Sequence, residues 1–196
     1  NNCVSKFFRN SDSADTGAGW KGGESIRASN SGMLTIKGSN GDVKVPEHYQ
    51  FARVDIHQST GDVTCQASTT DTMKIKTSTG SIRVENVNVG ILDLSVTTGN
   101  IIITNVTCSG DMHFSVSTGK TRLTNVSCKN LTADGNTGDI TLKNVVTAEK
   151  LTIERTTGDV KFEGCDAAEI LVKTDTGKVT GTLLSEKVFL CKTETG

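Results

Sequence analysis

Two aspartates and two histidines are the residues of this chain best suited to acid–base chemistry. Asp55 and His57 stand two residues apart, whereas Asp93 and His113 follow later. A glycosidase needs two carboxylates at a defined separation, and a polysaccharide lyase needs a base with cationic or metal support. The repeat described below places His113 roughly 14 Å from Asp55, too far for the two to cooperate. We therefore predict no catalytic residue and interpret His48, His57 and His113 as surface residues.

An aspartate often follows a repeated glycine, as in Thr60-Gly61-Asp62, and aspartate–glycine repeats can bind calcium. Calcium β-rolls need a nine-residue repeat with several Gly and Asp in each turn, which this chain lacks. The equivalent position is Lys120 and Lys178 in two other copies, and a lysine there would repel a cation. No His or Cys pair converges on a metal geometry except the two buried thiols described below. We predict no metal site and no cofactor.

A third candidate is a column of cations three residues after the repeated glycine. It could contact an anionic envelope polymer, since it carries a cation in every second copy, namely Lys44, Arg83, Arg122 and Lys161. Carboxylates flank the column on the same face: Asp42, Glu85, Asp159 and Glu163. The better interpretation is a solvated sheet of mixed charge.

These residues are positioned by a repeat that covers most of the chain. Its corner glycine recurs at intervals of 19 or 20 residues over 155 positions, at 41, 61, 80, 99, 119, 138, 158, 177 and 196. Apolar residues stand two and four positions after most corners, and again seven and five positions before the next one. Alternation at period two indicates strands with one buried face. Two strands form each coil, and a short third bend is possible seven to nine residues after the corner.

Stacked coils would pair equivalent strands in parallel, with the right-handed crossover that sheets prefer. The sequence therefore predicts an all-β, single-stranded, right-handed parallel β-solenoid (β-helix) of about 19 to 20 residues per coil, a rod roughly 40 Å long. The corner glycine supplies a positive φ, and the Thr before it forms a column. Asn86, Asn105, Asn125 and Asn144 stand six residues after successive corners and predict an internal asparagine ladder.

The two ends of the chain differ from the repeat. Residues 1–23 lack periodicity and are predicted to be an irregular leader or an N-terminal cap, in which Trp20 could plug the first coil. Residues 24–196 form the predicted solenoid domain. The sequence ends within a repeat corner, so we expect either further chain beyond Gly196 or another molecule on the last coil. Open strand edges also make end-to-end self-association a possible partner interaction.

The cysteines fall on repeat positions. Cys65, Cys165 and Cys191 occupy positions that are apolar in other coils and are predicted to be small core side chains. Cys108 and Cys128 stand nine residues after successive corners, so they should stack about 4.8 Å apart. That separation permits a disulfide or a pair of stacked thiols, and we favour the thiols.

Composition excludes several classes of function. The formal net charge is −1, so no basic field indicates nucleic-acid binding. No apolar run reaches the roughly 18 residues of a membrane-spanning helix, and no signal peptide is visible. Because the chain begins with Asn1 rather than methionine, a targeting or anchoring segment could precede it.

The repeat resembles the bacterial family of adhesin-like Thr/Ser-Gly-Asp β-strand repeats, a domain of unknown function. The best matches are Ser59-Thr60-Gly61-Asp62-Val63, Asn136-Thr137-Gly138-Asp139-Ile140 and Thr156-Thr157-Gly158-Asp159-Val160, and the resemblance covers about residues 30–196. Other segments are similar to clostridia-like members, namely Lys173-Thr174-Asp175-Thr176-Gly177-Lys178-Val179 and Gly181-Thr182-Leu183-Leu184. The resemblance implies an extracytoplasmic solenoid, often behind an N-terminal anchor and sometimes linked to envelope-stress signalling. It brings no catalytic motif.

The expected function is a non-enzymatic, membrane- or surface-attached solenoid that serves as a cell-envelope adhesin, spacer or interaction surface. Its expected partners are an envelope polymer or a protein. Two alternatives remain open: a carbohydrate-active β-helix enzyme whose site lies in a missing segment, and the ectodomain of an envelope-stress signalling protein.

Overall fold

The computed structural model describes residues 32–47, 49–185 and 188–196, and the backbone of three short segments nearer the N-terminus. Trp20, His48 and most of residues 1–23 lie outside the described residues. The described chain is all β-structure, wound into coils that stack in parallel. The predicted parallel β-solenoid with its period of 19 to 20 residues is confirmed.

Each coil contributes one strand of eight residues before the corner glycine, which we call a long strand. The separate long strands are β4 (Met33–Asn40), β7 (Arg53–Thr60), β10 (Thr72–Thr79), β12 (Ile91–Thr98), β14 (Asp111–Thr118), β16 (Asn130–Thr137) and β20 (Val188–Thr195). In two later coils the long strand is the second half of a longer element, β17 (Ile140–Thr157) or β18 (Val160–Thr176).

After each corner the chain forms the other sides of the coil. These strands are β5 (Val43–Val45), β6 (Gln50–Phe51), β8 (Val63–Cys65), β9 (Ser68–Thr69), β11 (Ile82–Val89), β13 (Ile101–Cys108), β15 (Thr121–Cys128) and β19 (Val179–Leu183). The first halves of β17 and β18 complete the set. In the first two coils this part is split into two short strands, whereas β11, β13 and β15 run continuously through a bend.

The parallel register follows the repeat with few shifts. Leu92 pairs with Met112 and Ile75 with Leu94, so each apolar position stacks on its equivalent one coil away. The core is therefore a set of buried columns of Val, Ile, Leu, Met, Phe and Cys side chains. Each coil needs only a few such side chains, which explains how a chain with 34% hydrophobic residues folds.

The corner glycines are fixed by two constraints. Gly61, Gly80 and Gly99 have φ values of 138°, 145° and 147°, which L side chains rarely adopt. In addition, a Cβ on Gly61 would lie 2.0 Å from the carbonyl oxygen of Gly41 in the preceding coil. The predicted positive φ is confirmed, and the stacking of corner carbonyls is a further reason why no other residue fits.

The asparagine ladder is present, but it lies outside the core. Asn105 Nδ2 donates to Asn86 Oδ1 at 3.0 Å, and two equivalent bonds continue to Asn125 and Asn144. All four residues have φ between 52° and 55°. Their side chains are exposed, so the prediction of an internal ladder is wrong. The left-handed backbone turns the chain at this corner and directs the amides outward.

The Thr column is confirmed by the register, in which Thr60, Thr79 and Thr98 pair in succession. The backbone carbonyl groups of this column accept hydrogen bonds from the corner glycines. Gly61 N donates to Thr79 O at 2.9 Å, and the same bond recurs at later corners.

Four of the cysteines are buried, and the described cysteines are all free thiols. Burial raises the pKa of Cys65 and of Cys128 to about 12. Cys108 and Cys128 are both free thiols, the arrangement that we favoured for this pair. Cys191 stacks on Val172 as the repeat requires, yet it is exposed, so the prediction of a core cysteine there is wrong. No described coil lies on its far side.

In one buried column, three residues before the corner glycine, several coils carry polar side chains instead of apolar ones. Arg155, three residues before its corner, is 3% exposed and occupies the space left by Gly135 in the coil before. Its guanidinium donates to Val116 O at 3.1 Å and to Thr121 Oγ1 at 3.0 Å. Thr121 stands where other coils carry Val or Ile. Arg155, Val116 and Thr121 thus form one buried hydrogen-bonded group. Within it, Nε of Arg155 has no partner among the described residues.

Short segments before the first parallel coil also pair with it. The strand β3 (Ser25–Ala28) runs antiparallel to β4, β2 (Ala14–Asp15) runs antiparallel to β3, and β1 (Asn2–Cys3) pairs in parallel with β5. Backbone groups on the N-terminal edge of the first coil are therefore partly satisfied by the chain itself. The division into a leader or cap and a solenoid stays a prediction.

Candidate functional site

The outward side chains of the long strands form a surface that we call the long-strand face. In its first three coils it carries Lys37, Arg53, His57, Lys74 and Lys76, with a single carboxylate, Asp55. The register places Lys37 beside His57 and His57 beside Lys76 in successive coils, about 4.8 Å apart. We call these five residues the basic block.

The next three coils of the same face carry only carboxylates and one histidine as ionisable groups. His113 lies between Asp93 of the preceding coil and Asp134 of the following one. Its Nδ1 is 3.4 Å from Asp93 Oδ1, and its Nε2 is 3.2 Å from Asp134 Oδ2. All three side chains are about half exposed. With Asp111 they form what we call the acidic block.

The contacts of His113 define what this group can do. A histidine that activates a nucleophile needs one ring nitrogen facing the nucleophile and the other facing an orienting group. Here both nitrogens face carboxylates, so neither is directed at a nucleophile. The arrangement is that of a surface ion-pair group, which contributes little to stability.

A second polar group continues the acidic block beside it. Asn130 Nδ2 donates to Asp111 Oδ1 at 3.0 Å and to Glu149 Oε2 at 3.1 Å. The amide thus bridges carboxylates of the coils before and after its own. Lys129 Nζ is 3.9 Å from Glu149 Oε1. This network holds the carboxylates of neighbouring coils in place.

A polar cleft of about 320 Å³ lies on another side of the rod, in the first coils. It is lined by Glu47, Tyr49, Gln50, Gln66, Ser68 and Asn86. The Tyr49 ring stacks on Phe51 with 6.5 Å between ring centroids and packs against the core. The cleft lies where β6 and β9 replace the continuous bend of later coils, so it is a product of the irregular part of the repeat.

Several groups of the cleft are oriented by neighbouring residues. Gln66 Nε2 donates to Glu85 Oε2 at 3.3 Å, and Ser68 Oγ accepts from Asn88 N at 3.0 Å. Asn86 is the first member of the asparagine ladder, and its Oδ1 accepts from Asn105. Its Nδ2 is therefore the donor end of the ladder, on the cleft side.

A family model described as Toastrack DUF4097 matches this chain in two segments, residues 25–115 and 107–188. These segments cover most of the chain. The chain belongs to the Toastrack family. No curated protein and no solved structure matches it. Toastrack DUF4097 is a domain of unknown function, so membership supports the repeat β-solenoid and carries no chemistry to this chain.

The Toastrack repeat separates the residues first considered for catalysis. Asp55 pairs with Lys74, and His57 lies between Lys37 and Lys76, all in the basic block. Asp93 and His113 do come together, in the acidic block, with Asp134 as a third member that sequence reasoning missed. Asp134 could have been found, since the register places it beside Ser115, two residues after His113.

The aspartate after the corner glycine has a structural role in this Toastrack domain. Asp42 Oδ1 accepts from the backbone N–H of Asp62 at 2.9 Å, and Asp62 Oδ1 accepts from that of Ser81 at 2.8 Å. Asn100 makes the same contact with Lys120 N at 2.8 Å. The side chain thus caps a backbone donor of the next coil, which explains why Asp, Asn and Ser are exchanged there.

Among the described residues, no group of three or more His, Cys, Asp or Glu side chains is arranged to hold a metal ion. Within the same residues the structure contains no helix long and apolar enough to cross a membrane.

A second cavity, of about 340 Å³, lies at the last coil and is lined mainly by Phe162, Val179, Leu183, Phe189 and Cys191.

Proposed function

We propose that this Toastrack domain is a non-enzymatic spacer and interaction surface of the cell envelope, and that the basic block binds an anionic envelope polymer. The observation that carries the proposal is the separation of charge on the long-strand face. Four Lys or Arg side chains and His57 gather in three coils beside one carboxylate. Like charges at coil spacing repel one another, so this arrangement is compensated best by a polyanion with closely spaced charges.

The geometry of the rod supports an extended contact. Stacked coils hold these cations side by side on one parallel sheet, so a linear polymer that runs along the rod could contact several of them. The cation column three residues after the corner glycine is less suited to a polyanion, because its charges are compensated. Glu85 lies 3.4 Å from Arg83, and carboxylates flank the other cations of that column. A location at the envelope and an adhesive role belong to the same proposal and rest on the resemblance of the repeat. End-to-end contacts between rods, also part of the proposal, rest on the open strand edges.

The test is binding of polyphosphate, with neutral dextran as the control polymer. Exchanging Lys74 and Lys76 together for Glu should weaken polyphosphate binding about tenfold, equivalent to about 1.4 kcal/mol. The matched control exchanges Lys150 and Lys173 for Glu, which makes the same charge change on the same face outside the basic block. Binding should weaken with added salt because the charges are exposed.

The control pair separates a specific basic block from net charge. If both double variants lose affinity equally, the contact depends only on total charge and the proposed role of the basic block is wrong. If the unmodified chain fails to bind polyphosphate at low salt, the polyanion proposal is wrong altogether.

A further inference from the structure

We propose that the polar cleft lined by Tyr49, Gln50, Gln66 and Asn86 is a binding site for a neutral, hydroxyl-rich ligand, a saccharide unit. This inference goes beyond the proposed function: the cleft lies on a different side of the rod from the basic block, and its described lining residues include neither Lys nor Arg. At about 320 Å³ it is at the lower end of the volume range of ligand sites. It therefore fits one or two sugar rings.

The residues of the lining select this chemistry. Primary amides both donate and accept hydrogen bonds, as sugar hydroxyls do, and the cleft has three of them: Gln50, Gln66 and Asn86. Glu47 adds an acceptor for hydroxyl protons. The described lining residues include a carboxylate and neither Lys nor Arg, so they do not select an anion. An apolar ligand would exclude water from the amide groups that are not bonded within the fold, at a cost for each.

The donors of the cleft are set in position before any ligand arrives. Ser68 Oγ accepts from Asn88 N, which leaves its O–H to donate to a ligand. Asn86 is held at φ 55° and its carbonyl is engaged by Asn105, so its amide N–H groups are the donors presented at the end of the ladder. Glu85 orients the amide of Gln66. Preorganised donors lower the entropy cost of binding.

The aromatic ring supplies the remaining element of a sugar site. Tyr49 is partly buried against the core and stacked on Phe51, so the ring is held at the wall of the cleft. A rigid aromatic side chain offers an apolar surface to the C–H groups of a sugar. An apolar wall beside several amides matches a ligand with both kinds of surface.

The cleft exists because the repeat is broken here. In the four middle coils the position six residues after the corner is an asparagine that turns the chain tightly, whereas in the first two coils it is Glu47 and Ala67. Ala67 is fully buried. Without a left-handed residue at this bend, the chain leaves the regular path and the concave surface forms.

The experiment is NMR titration of the ¹⁵N-labelled chain with a fixed panel of glucose, galactose, mannose, N-acetylglucosamine and maltose. We expect at least one sugar to shift backbone amides of residues 47 and 49–50, 66–68 and 86–88, with a dissociation constant in the millimolar range. Gln50→Ala and Gln66→Leu should each weaken that binding about tenfold. Asn136→Ala removes an exposed amide elsewhere on the rod and should leave it unchanged.

Several results would overturn the inference: no shift with any sugar of the panel, shifts that Gln50→Ala and Gln66→Leu leave intact, or a cleft that responds to triglycine and to no sugar. Circular dichroism of each variant keeps a loss of folding from being read as a loss of binding. The variant with Lys74 and Lys76 exchanged for Glu should bind sugar normally, so failure of the cleft and failure of the polyanion proposal are distinguishable.

Discussion

The bend opposite the long strands is built in two different ways along the rod. In the middle coils, Asn86, Asn105, Asn125 and Asn144 turn the chain at nearly identical φ values and bond to one another. In the first two coils that ladder is absent, β6 and β9 are short separate strands, and the polar cleft lies there. The regular bend presents a uniform ridge, whereas the irregular bend presents a concave surface with several kinds of polar group.

The comparison shows where function can be sought in a repeat protein. A column that recurs in each coil is held by contacts with its own copies: the corner glycines stack on carbonyls, and the post-glycine aspartates cap the next coil. The hydrogen-bonding groups of such a column are bonded to other groups of the same chain. Polar and charged groups that can bind a partner lie where the sequence departs from the repeat. These places include the cleft and the basic and acidic blocks of the long-strand face.

The largest expected effect compares two glycines of the same buried column. In Gly135→Ala the new Cβ would lie 1.9 Å from Arg155 Nη1 and 2.2 Å from the backbone oxygen of Val116. In Gly38→Ala, in the first coil, it would meet only the flexible side chain of Gln58, at 2.0 Å. We expect Gly135→Ala to lower the free energy of unfolding by about 3 kcal/mol and Gly38→Ala by about 1 kcal/mol.

Urea denaturation of the two variants measures both values. A similar loss in the two would show that the buried column tolerates overpacking at Gly135 as well as it does at Gly38, which would contradict the prediction.

The second prediction tests the ladder itself. Asn125→Ala removes one bond to Asn105 and one from Asn144, and places alanine at a φ of 54°. The backbone term should cost about 1 kcal/mol and the lost bonds about 1 kcal/mol more. Lys161→Ala, at an exposed position, should change stability by less than about 0.5 kcal/mol.

Thermal unfolding decides this prediction, and equal melting temperatures for Asn125→Ala and Lys161→Ala would refute a stabilising ladder. Asn125→Gly provides a further check. It keeps the left-handed backbone accessible and loses only the side-chain bonds, so its melting temperature should lie between those of Asn125→Ala and the unmodified chain.

The smallest effect concerns the far end of the ladder, where Gly164 has a φ of 62° at the same repeat position. Gly164→Asn would extend the ladder by one member. Its Cβ would lie 2.9 Å from Asn144 Oδ1, the movable end of a side chain and the natural acceptor for the new amide. We expect a gain of about 0.5 kcal/mol for Asn and a loss of about 1 kcal/mol for Ala. Urea denaturation in which Ala equals or exceeds Asn would contradict ladder propagation.

Much of the fold could be predicted because the repeat fixes the register. Once the corner glycines are aligned, neighbours such as Leu92 and Met112 follow without further information. The same alignment places Asp93, His113 and Asp134 together, so this group was also within reach of the sequence. The direction of the asparagine side chains could not be predicted, because it depends on how the left-handed backbone turns the bend.

The sequence by itself determined the parallel solenoid, its period, the buried columns and the need for glycine and asparagine at the corners. These follow from alternation and from backbone conformations that few residues adopt. Tertiary structure decided that Arg155 reaches across Gly135 to Thr121, 34 residues away in the chain. It also decided that Glu47, Gln66 and Asn86 line one cleft. The physical reason is that both depend on the path of side chains and irregular bends across several coils, which a one-dimensional period does not specify.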